Sequence, residues 1–351
     1  MLDLMSCSIA ARRGYVVLGV LALITLLMPL RAALAAPLFD GDTVIDVTLS
    51  GPFHSLFKSS KKAPEEMPFI LEADGARHEI KVRVRGHSRL RVCSFPPLRL
   101  NFKSSATSDT LFAGQDKLKL VTHCNRGERA GENALEEYLA YRLFNDVSPH
   151  SYRARLMRIT YVDTDGKLRD SPLTRYAFVR ESDKQLATRL GGALANVRQV
   201  TRRGLDQDQA AAVYLYQYLI GNTDWSLVKA DADETCCHNG TLVRVDDRLL
   251  YVPFDFDLAG LVNPRYARPD PSLRIRRVTQ RLYRGYCLAG DALQRELQRM
   301  RQREEALLGI VKRLPGLSQD NRADKLAYLA SFFREADETP GLVDLFEEKC
   351  L

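Results

Sequence analysis

Residues 117–122 (KLKLVT) and residues 132–144 (ENALEEYLAYRLF) show a change of period within one short stretch. In the first segment apolar and polar residues alternate, as on a half-buried strand. In the second, the apolar residues 135, 138, 139 and 143 fall at helical spacing, and the acids come early, near the positive end of the helix dipole. Toward the N-terminus, residues 43–49, 69–71, 78–85 (HEIKVRVR) and 98–102 (LRLNF) read as strands. Toward the C-terminus, strands return at 154–161 and 175–180, with Asp165-Gly166 marking a turn between them. Residues 206–220 begin with acids and stop at Gly221, which predicts a helix. Two strands, 241–245 and 249–254, follow; a Pro-rich stretch then leads into helices near 292–314 and 322–335. This order predicts an α+β protein with two lobes: a β-rich N-lobe with one helix over 36–180, and a mainly helical C-lobe over 181–351. A crevice between two such lobes is the expected ligand site.

The remaining 1–35 read as an export signal. Arg12 and Arg13 precede a 16-residue apolar run from Tyr15 to Leu30, and Ala33-x-Ala35 follows as a cleavage site. The run is short for a membrane span, so the chain meets a membrane only if this segment stays uncleaved. Either way the rest is exported, periplasmic or secreted. Six cysteines remain beyond the signal, and an even count in an exported chain permits disulfides. Cys93 and Cys124, each beside a predicted strand, are the favoured pair; the adjacent Cys236 and Cys237 are not expected to join each other. A zinc site at Cys236-Cys237-His238 lacks CxxC spacing. The net charge is +7, and the signal holds Arg12, Arg13 and Arg31 against Asp3, so the remainder is +5. Its basic residues are dispersed, which argues for a solvated surface and against nucleic-acid binding.

Two acidic segments carry the chemistry: Gly221-Asn222-Thr223-Asp224-Trp225 and Pro253-Phe254-Asp255-Phe256-Asp257-Leu258. Asp224 follows a helix and a glycine, where a carboxylate can orient a hydroxyl and accept its proton; the bland alternative is a turn cap. Asp255 and Asp257, at i and i+2, would share one face if the strand continued, and two hard oxygen ligands suit Mg²⁺ or Mn²⁺. Asn239 is a neutral oxygen ligand for the same metal, although Asn before Gly is also common in turns. In the first half, Glu132, Glu136 and Glu137 open the helix, and one of them, Glu136 being the choice, would pair with a phosphate-binding cation. The candidates for that cation are Arg85, Arg99, Lys117 and Lys119, and the choice among them stays open.

Taken in order, Val84-Arg85-Gly86-His87-Ser88, residues 96–102 (PPLRLNF), the 117–122 strand with the 132–144 helix, residues 176–181 (YAFVRE), residues 221–224 and residues 253–257 resemble the CotH kinase family, the spore-coat-protein-H-like proteins. The resemblance implies a protein-kinase-like fold and ATP as substrate. It implies that Asp224 looks like the catalytic-loop Asp and that Asp255 or Asp257 looks like the metal-binding Asp. It places the 176–181 stretch, with Phe178 and Glu181, beside the adenine. The expected function is metal- and ATP-dependent phosphotransfer to a protein or envelope component. Two alternatives stand beside it: a non-catalytic binding or scaffold protein of the cell envelope, and a DxD-type nucleotide-sugar transferase, since Asp-x-Asp after an apolar strand also holds a metal and a nucleotide-sugar.

Overall fold

The structure is a computed structural model that describes residues 38–59, 65–86, 88–125, 127–227, 236–339 and 341–351. The expected export segment 1–35 lies outside them. Seven strands, β1 (Ile45–Gly51), β2 (Met67–Ala73), β3 (Ala76–Val84), β4 (Leu98–Asn101), β5 (Lys117–Val121), β6 (Ala154–Asp163) and β7 (Leu173–Arg180), close into a barrel in the order β1-β2-β3-β4-β5-β7-β6. All neighbours are antiparallel except at the seam, where β1 runs parallel to β6 with Ile45 opposite Met157 and Gly51 opposite Asp163. Period-2 alternation turns Val47, Leu49, Leu71, Val82, Leu100, Leu118 and Leu120 inward, all buried. Phe53, on the short helix α1 (Phe53–Ser59), plugs this interior edge-on to Phe69 and Tyr161.

A second apolar core lies outside the barrel wall. Helix α2 (Ser88–Val92) crosses between β3 and β4, and α3 (Glu128–Val147) packs on β6 and β7. After α4 (Asp183–Arg189), helix α5 (Gln207–Leu219) is buried at every position from Gln209 to Leu219, as expected of a helix apolar on all sides. It packs on a three-stranded sheet of β8 (Ala193–Leu194), β9 (Gly240–Val245) and β10 (Arg248–Pro253). Four helices complete the chain: α6 (Ala292–Gln302), α7 (Glu304–Arg313), α8 (Gln319–Glu338) and α9 (Leu342–Glu348).

The two-lobed kinase-like arrangement expected from the sequence, with one helix in a β-rich N-lobe and a mainly helical C-lobe, is therefore corrected. The described residues form a closed seven-stranded barrel and nine helices, three of them before β7. The seam that closes the barrel joins segments about a hundred residues apart. Closure pairs backbone groups that an open sheet would leave at its edges, and this pairing leaves no mark on local periodicity. The predicted helix 292–314 is likewise two helices, α6 and α7, broken at Arg303.

Cys93 joins Cys124, and Cys287 joins Cys350. Cys236 and Cys237, not expected to pair, are bonded to each other, the other four described cysteines being committed elsewhere. Three disulfides fit an oxidising, exported location. No helix among the described residues is long and apolar enough to cross a membrane.

Candidate functional site

Helix α5 starts at Asp206, whose side chain accepts from Gln209 N, and ends at Ile220. Gly221 then turns the chain with φ +63°. A Cβ at this position would strike the Tyr328 hydroxyl, so glycine is favoured both by conformation and by space. Gly221→Ala is expected to cost about 1–3 kcal/mol of stability, measured by urea unfolding. Buried Asn222 braces the next turn: its Nδ2 donates to Gln217 Oε1, and its Oδ1 accepts from Asp224 N. Trp225 donates its indole N–H to Asn222 O and stacks on Tyr214. The loop thus presents the Asp224 carboxylate, which is about one-third exposed (36%).

Both oxygens of that carboxylate are engaged. His238 Nε2 lies 3.0 Å from Oδ1, and Asn239 Nδ2 donates to Oδ2 at 2.9 Å and to Asp224 O at 2.7 Å. Asn239 leads into the β9–β10 hairpin, and its carbonyl accepts from Phe254 N where the other strand leaves. The hairpin therefore brings Asp224 and Asn239 to the same end as Asp255 and Asp257. A pocket of about 420 Å³ opens on the Asp224 side, lined also by His238, Arg268 and Arg284.

Strand β10 ends at Pro253, and Asp255 takes φ +60°, so the two acids do not share a strand face as the sequence suggests. They meet instead on Arg89, from α2. Arg89 Nε is 2.9 Å from Asp257 Oδ2, Arg89 Nη2 is 3.6 Å from Asp255 Oδ1, and the same Nη2 is 2.5 Å from Glu137 Oε2. Asp257 is buried and also accepts from the Tyr266 hydroxyl, whereas the Asp255 side chain is half exposed. Burial pushes Glu137 up to about 7; Arg89 opposes the shift, and Asp257 and Asp255 add to it. Burial also raises Asp257, against Arg89 and with Asp255. Burial disfavours the Arg89 charge, but Asp257 and Glu137 outweigh it and hold the guanidinium firmly protonated. One guanidinium thus serves three carboxylates.

The predicted cations converge on a second pocket, of about 530 Å³, on the outer face of the barrel. Strand register lines them up, one per strand: Arg83 opposite Arg99, Arg99 opposite Lys119, Lys119 opposite Arg180. Arg85, just past the end of β3, and Lys117, two residues before Lys119 on β5, line the same pocket. Arg85 Nε is enclosed without a hydrogen-bond partner among the described residues. Burial lowers Arg85 to about 10, with Asp255 pulling the other way, so this pocket adjoins the acidic cluster. Burial, with Arg180 second, brings Lys119 down to about 8.

Glu136 is not in either pocket. It is fully buried, with Oε1 2.8 Å from Lys325 Nζ, and Asn133 donates to its other oxygen. The next residue, Glu137, faces the site because successive helical side chains lie about 100° apart. Phe178 is also in the core, packed against Tyr138 and Tyr141. Glu181 lines the cationic pocket, but its carboxylate is tied to Arg153 N and Arg189. Arg89 is the residue that sequence reading missed; it follows the Arg85-Gly86 turn on a five-residue helix too short to show a period.

Among the described residues, no group of three or more His, Cys, Asp or Glu side chains is arranged to hold a metal ion. The carboxylates have the oxygen chemistry that Mg²⁺ or Mn²⁺ takes; the raised affinity of Glu137 and Asp257 for protons comes first from burial, with repulsion from neighbouring carboxylates adding to it. Arg89 occupies the place between them.

No protein-family model matches the chain, and no curated protein matches it. Among solved structures the chain is similar to a Helicobacter pylori proinflammatory kinase, CtkA. The identity is 11%, the match covers 72% of this chain and 90% of that one, and the TM-score is 0.36. A likeness at that level establishes no residue correspondence, and the chemistry rests on the site itself.

Proposed function

We propose that the chain transfers a phosphoryl group from a nucleoside triphosphate such as ATP to a hydroxyl of a protein or cell-envelope component outside the cytoplasm. The observation that carries this reading is the hairpin end at Asn239 and Phe254. It puts a hydrogen-bonded carboxylate, Asp224, on one pocket, and Asp255 beside a second pocket lined by a row of cations. In the reaction the acceptor oxygen attacks the terminal phosphorus. The bond from that phosphorus to its bridging oxygen breaks, the bridging oxygen keeps the electron pair, and Asp224 takes the hydroxyl proton. Arg85, Arg99, Lys117 and Lys119 hold the phosphates. A bound Mg²⁺ or Mn²⁺ would supply charge neutralisation at the phosphate oxygens, with Asp255 as its first protein ligand and Asp257 and Asn239 near it.

Calorimetric titration of the oxidised full chain with ATP, with and without Mg²⁺ or Mn²⁺, tests this. Metal-dependent binding that disappears in the Asp255→Ala, Asp257→Ala double variant is the expected result; a double variant that binds as the parent does would refute the assignment. The same titration carries a pH dependence. Lys119 loses its proton near pH 8, and only its charged form attracts phosphate, so affinity should fall as pH rises from 7 to 9. Lys119→Arg, charged throughout, should flatten that fall. A second reading, a non-catalytic binding protein of the envelope, is favoured by the Arg89 guanidinium standing between the carboxylates; it predicts no metal-dependent nucleotide affinity.

A further inference from the structure

The cationic pocket is unusual in what it lacks. Leu194 is its one apolar side chain. Tyr152 and Phe254, the aromatic rings beside it, do not offer open faces to a planar base: the Arg180 guanidinium lies 4.1 Å from the Tyr152 ring centre and 4.6 Å from that of Phe254. Backbone groups on the rim are also spent. Glu181 N donates to Arg153 O, Glu181 O accepts from Arg180, and Ser182 N donates to Gln185 Oε1. A base is ordinarily held by a stacking surface together with fixed backbone donors and acceptors; here the ring faces are covered by Arg180 and the named backbone groups are already bonded.

What the pocket has instead is charge. Like charges directly opposite across strands are destabilising, yet Arg83, Arg99, Lys119 and Arg180 stand in one continuous cross-strand row. Lys184 and Lys117 add further cations at the exposed mouth, and the only acids in the lining are Glu181 and Asp183. Asp183 reaches Arg180 at 3.0 Å and Lys119 at 3.6 Å, which leaves Arg83, Arg85 and Arg99 without a carboxylate in ion-pair range among the described residues. A folded chain gains nothing by crowding cations this way unless a polyanion lies across them.

We infer that this pocket recognises its phosphoryl donor by the phosphate chain alone and does not read the base, so that a linear inorganic polyphosphate serves as well as a nucleoside triphosphate. The inference rests on the donor-site reading above and narrows its substrate class. Arg83, Arg99 and Lys119 run across three strands and suit an extended chain of phosphates, with Arg85 at the end nearest Asp255 and Arg180 holding Asp183 at the other side of the row. Arginine forks bind phosphate oxygens in pairs, and an exposed lysine binds as a point charge.

The test is calorimetry on the full oxidised chain with MgATP, MgGTP and magnesium tripolyphosphate. The expected result is affinities within about threefold of one another, because all three present the same phosphates. Loss of tenfold or more on removing the base overturns the inference. A longer linear polyphosphate that binds more tightly than MgATP supports an inorganic source for the donor; equal binding supports the nucleotide, and both leave the base unread. The paired substitution Lys117→Glu, Lys184→Glu, at two exposed positions, should weaken all three ligands alike, by about tenfold. No weakening would remove the phosphates from this pocket. Transfer from MgATP without tripolyphosphate binding defeats this inference and leaves the phosphotransfer reading standing. Tripolyphosphate binding without transfer from any donor does the reverse.

Discussion

Under the proposed function, Asp224→Asn is expected to lower the rate of phosphoryl transfer by about 10²–10⁴-fold, the usual contribution of a positioned general base. The substitution preserves shape: Asn222 and Trp225 still hold the loop, and the new amide oxygen still meets Asn239 Nδ2. It removes the one thing an amide cannot supply, a basic oxygen that takes the acceptor's proton. The loss should therefore fall on kcat, with ATP affinity unchanged within about twofold, because Asp224 lines a different pocket from the cationic one proposed for the phosphates. A merely structural role would instead lower the melting temperature and weaken ATP binding together. Measuring kcat, ATP affinity and unfolding on one preparation separates the two, and an Asp224→Asn variant with parental kcat would exclude Asp224 as the base.

Arg89→Ala is expected to destabilise the fold by about 3–5 kcal/mol, the range for removing one partner of a buried ion pair. Arg89 is the cation within reach of both Glu137 and Asp257 among the described residues, and its loss leaves those buried charges facing each other. Both acids already bind protons more tightly than ordinary carboxylates. A folded-state carboxyl with a raised pKa stabilises the fold below its unfolded pKa and loses that contribution as pH rises through the folded value. For Glu137 that window runs from the ordinary carboxylate range up to about pH 7. Without Arg89 the folded values rise further, so the variant should recover much of its stability near pH 5 and be weakest near pH 8. Urea unfolding of parent and variant at both pH values measures this. A destabilisation equal at pH 5 and pH 8 would show that Arg89 acts through packing and not through charge.

The site divides along a physical line. Arg99 in LRLNF, Lys119 in KLKLVT and Arg83 in HEIKVRVR are visible from alternation as outward-facing residues, because strand period 2 is a local property. That they stand opposite one another is a matter of register between β3, β4, β5 and β7, which depends on which strands pair. The choice between Glu136 and Glu137 turns on about 100° of helix rotation; the apolar stripe of α3 is broad enough to bury both, so periodicity could not say which neighbour each would meet. Asp255 and Asp257 do not share the strand face that their i, i+2 spacing suggests. They meet because β10 stops and the chain turns through a left-handed residue onto Arg89, not because a strand continues.

By itself the sequence determined nine of the ten described strands, all but the two-residue β8, and most of the long helices, the acidic ends of α5 and β10, and the charged outer face of the strands, all through patterns a few residues long. Only the tertiary structure decided that the strands close into a barrel through a parallel β1–β6 seam, that Arg89 takes the centre of the acidic cluster, and that the cations form a row. Each of these brings together residues far apart in the chain. Their energy comes from backbone pairing and charge compensation between distant partners, which no local period encodes.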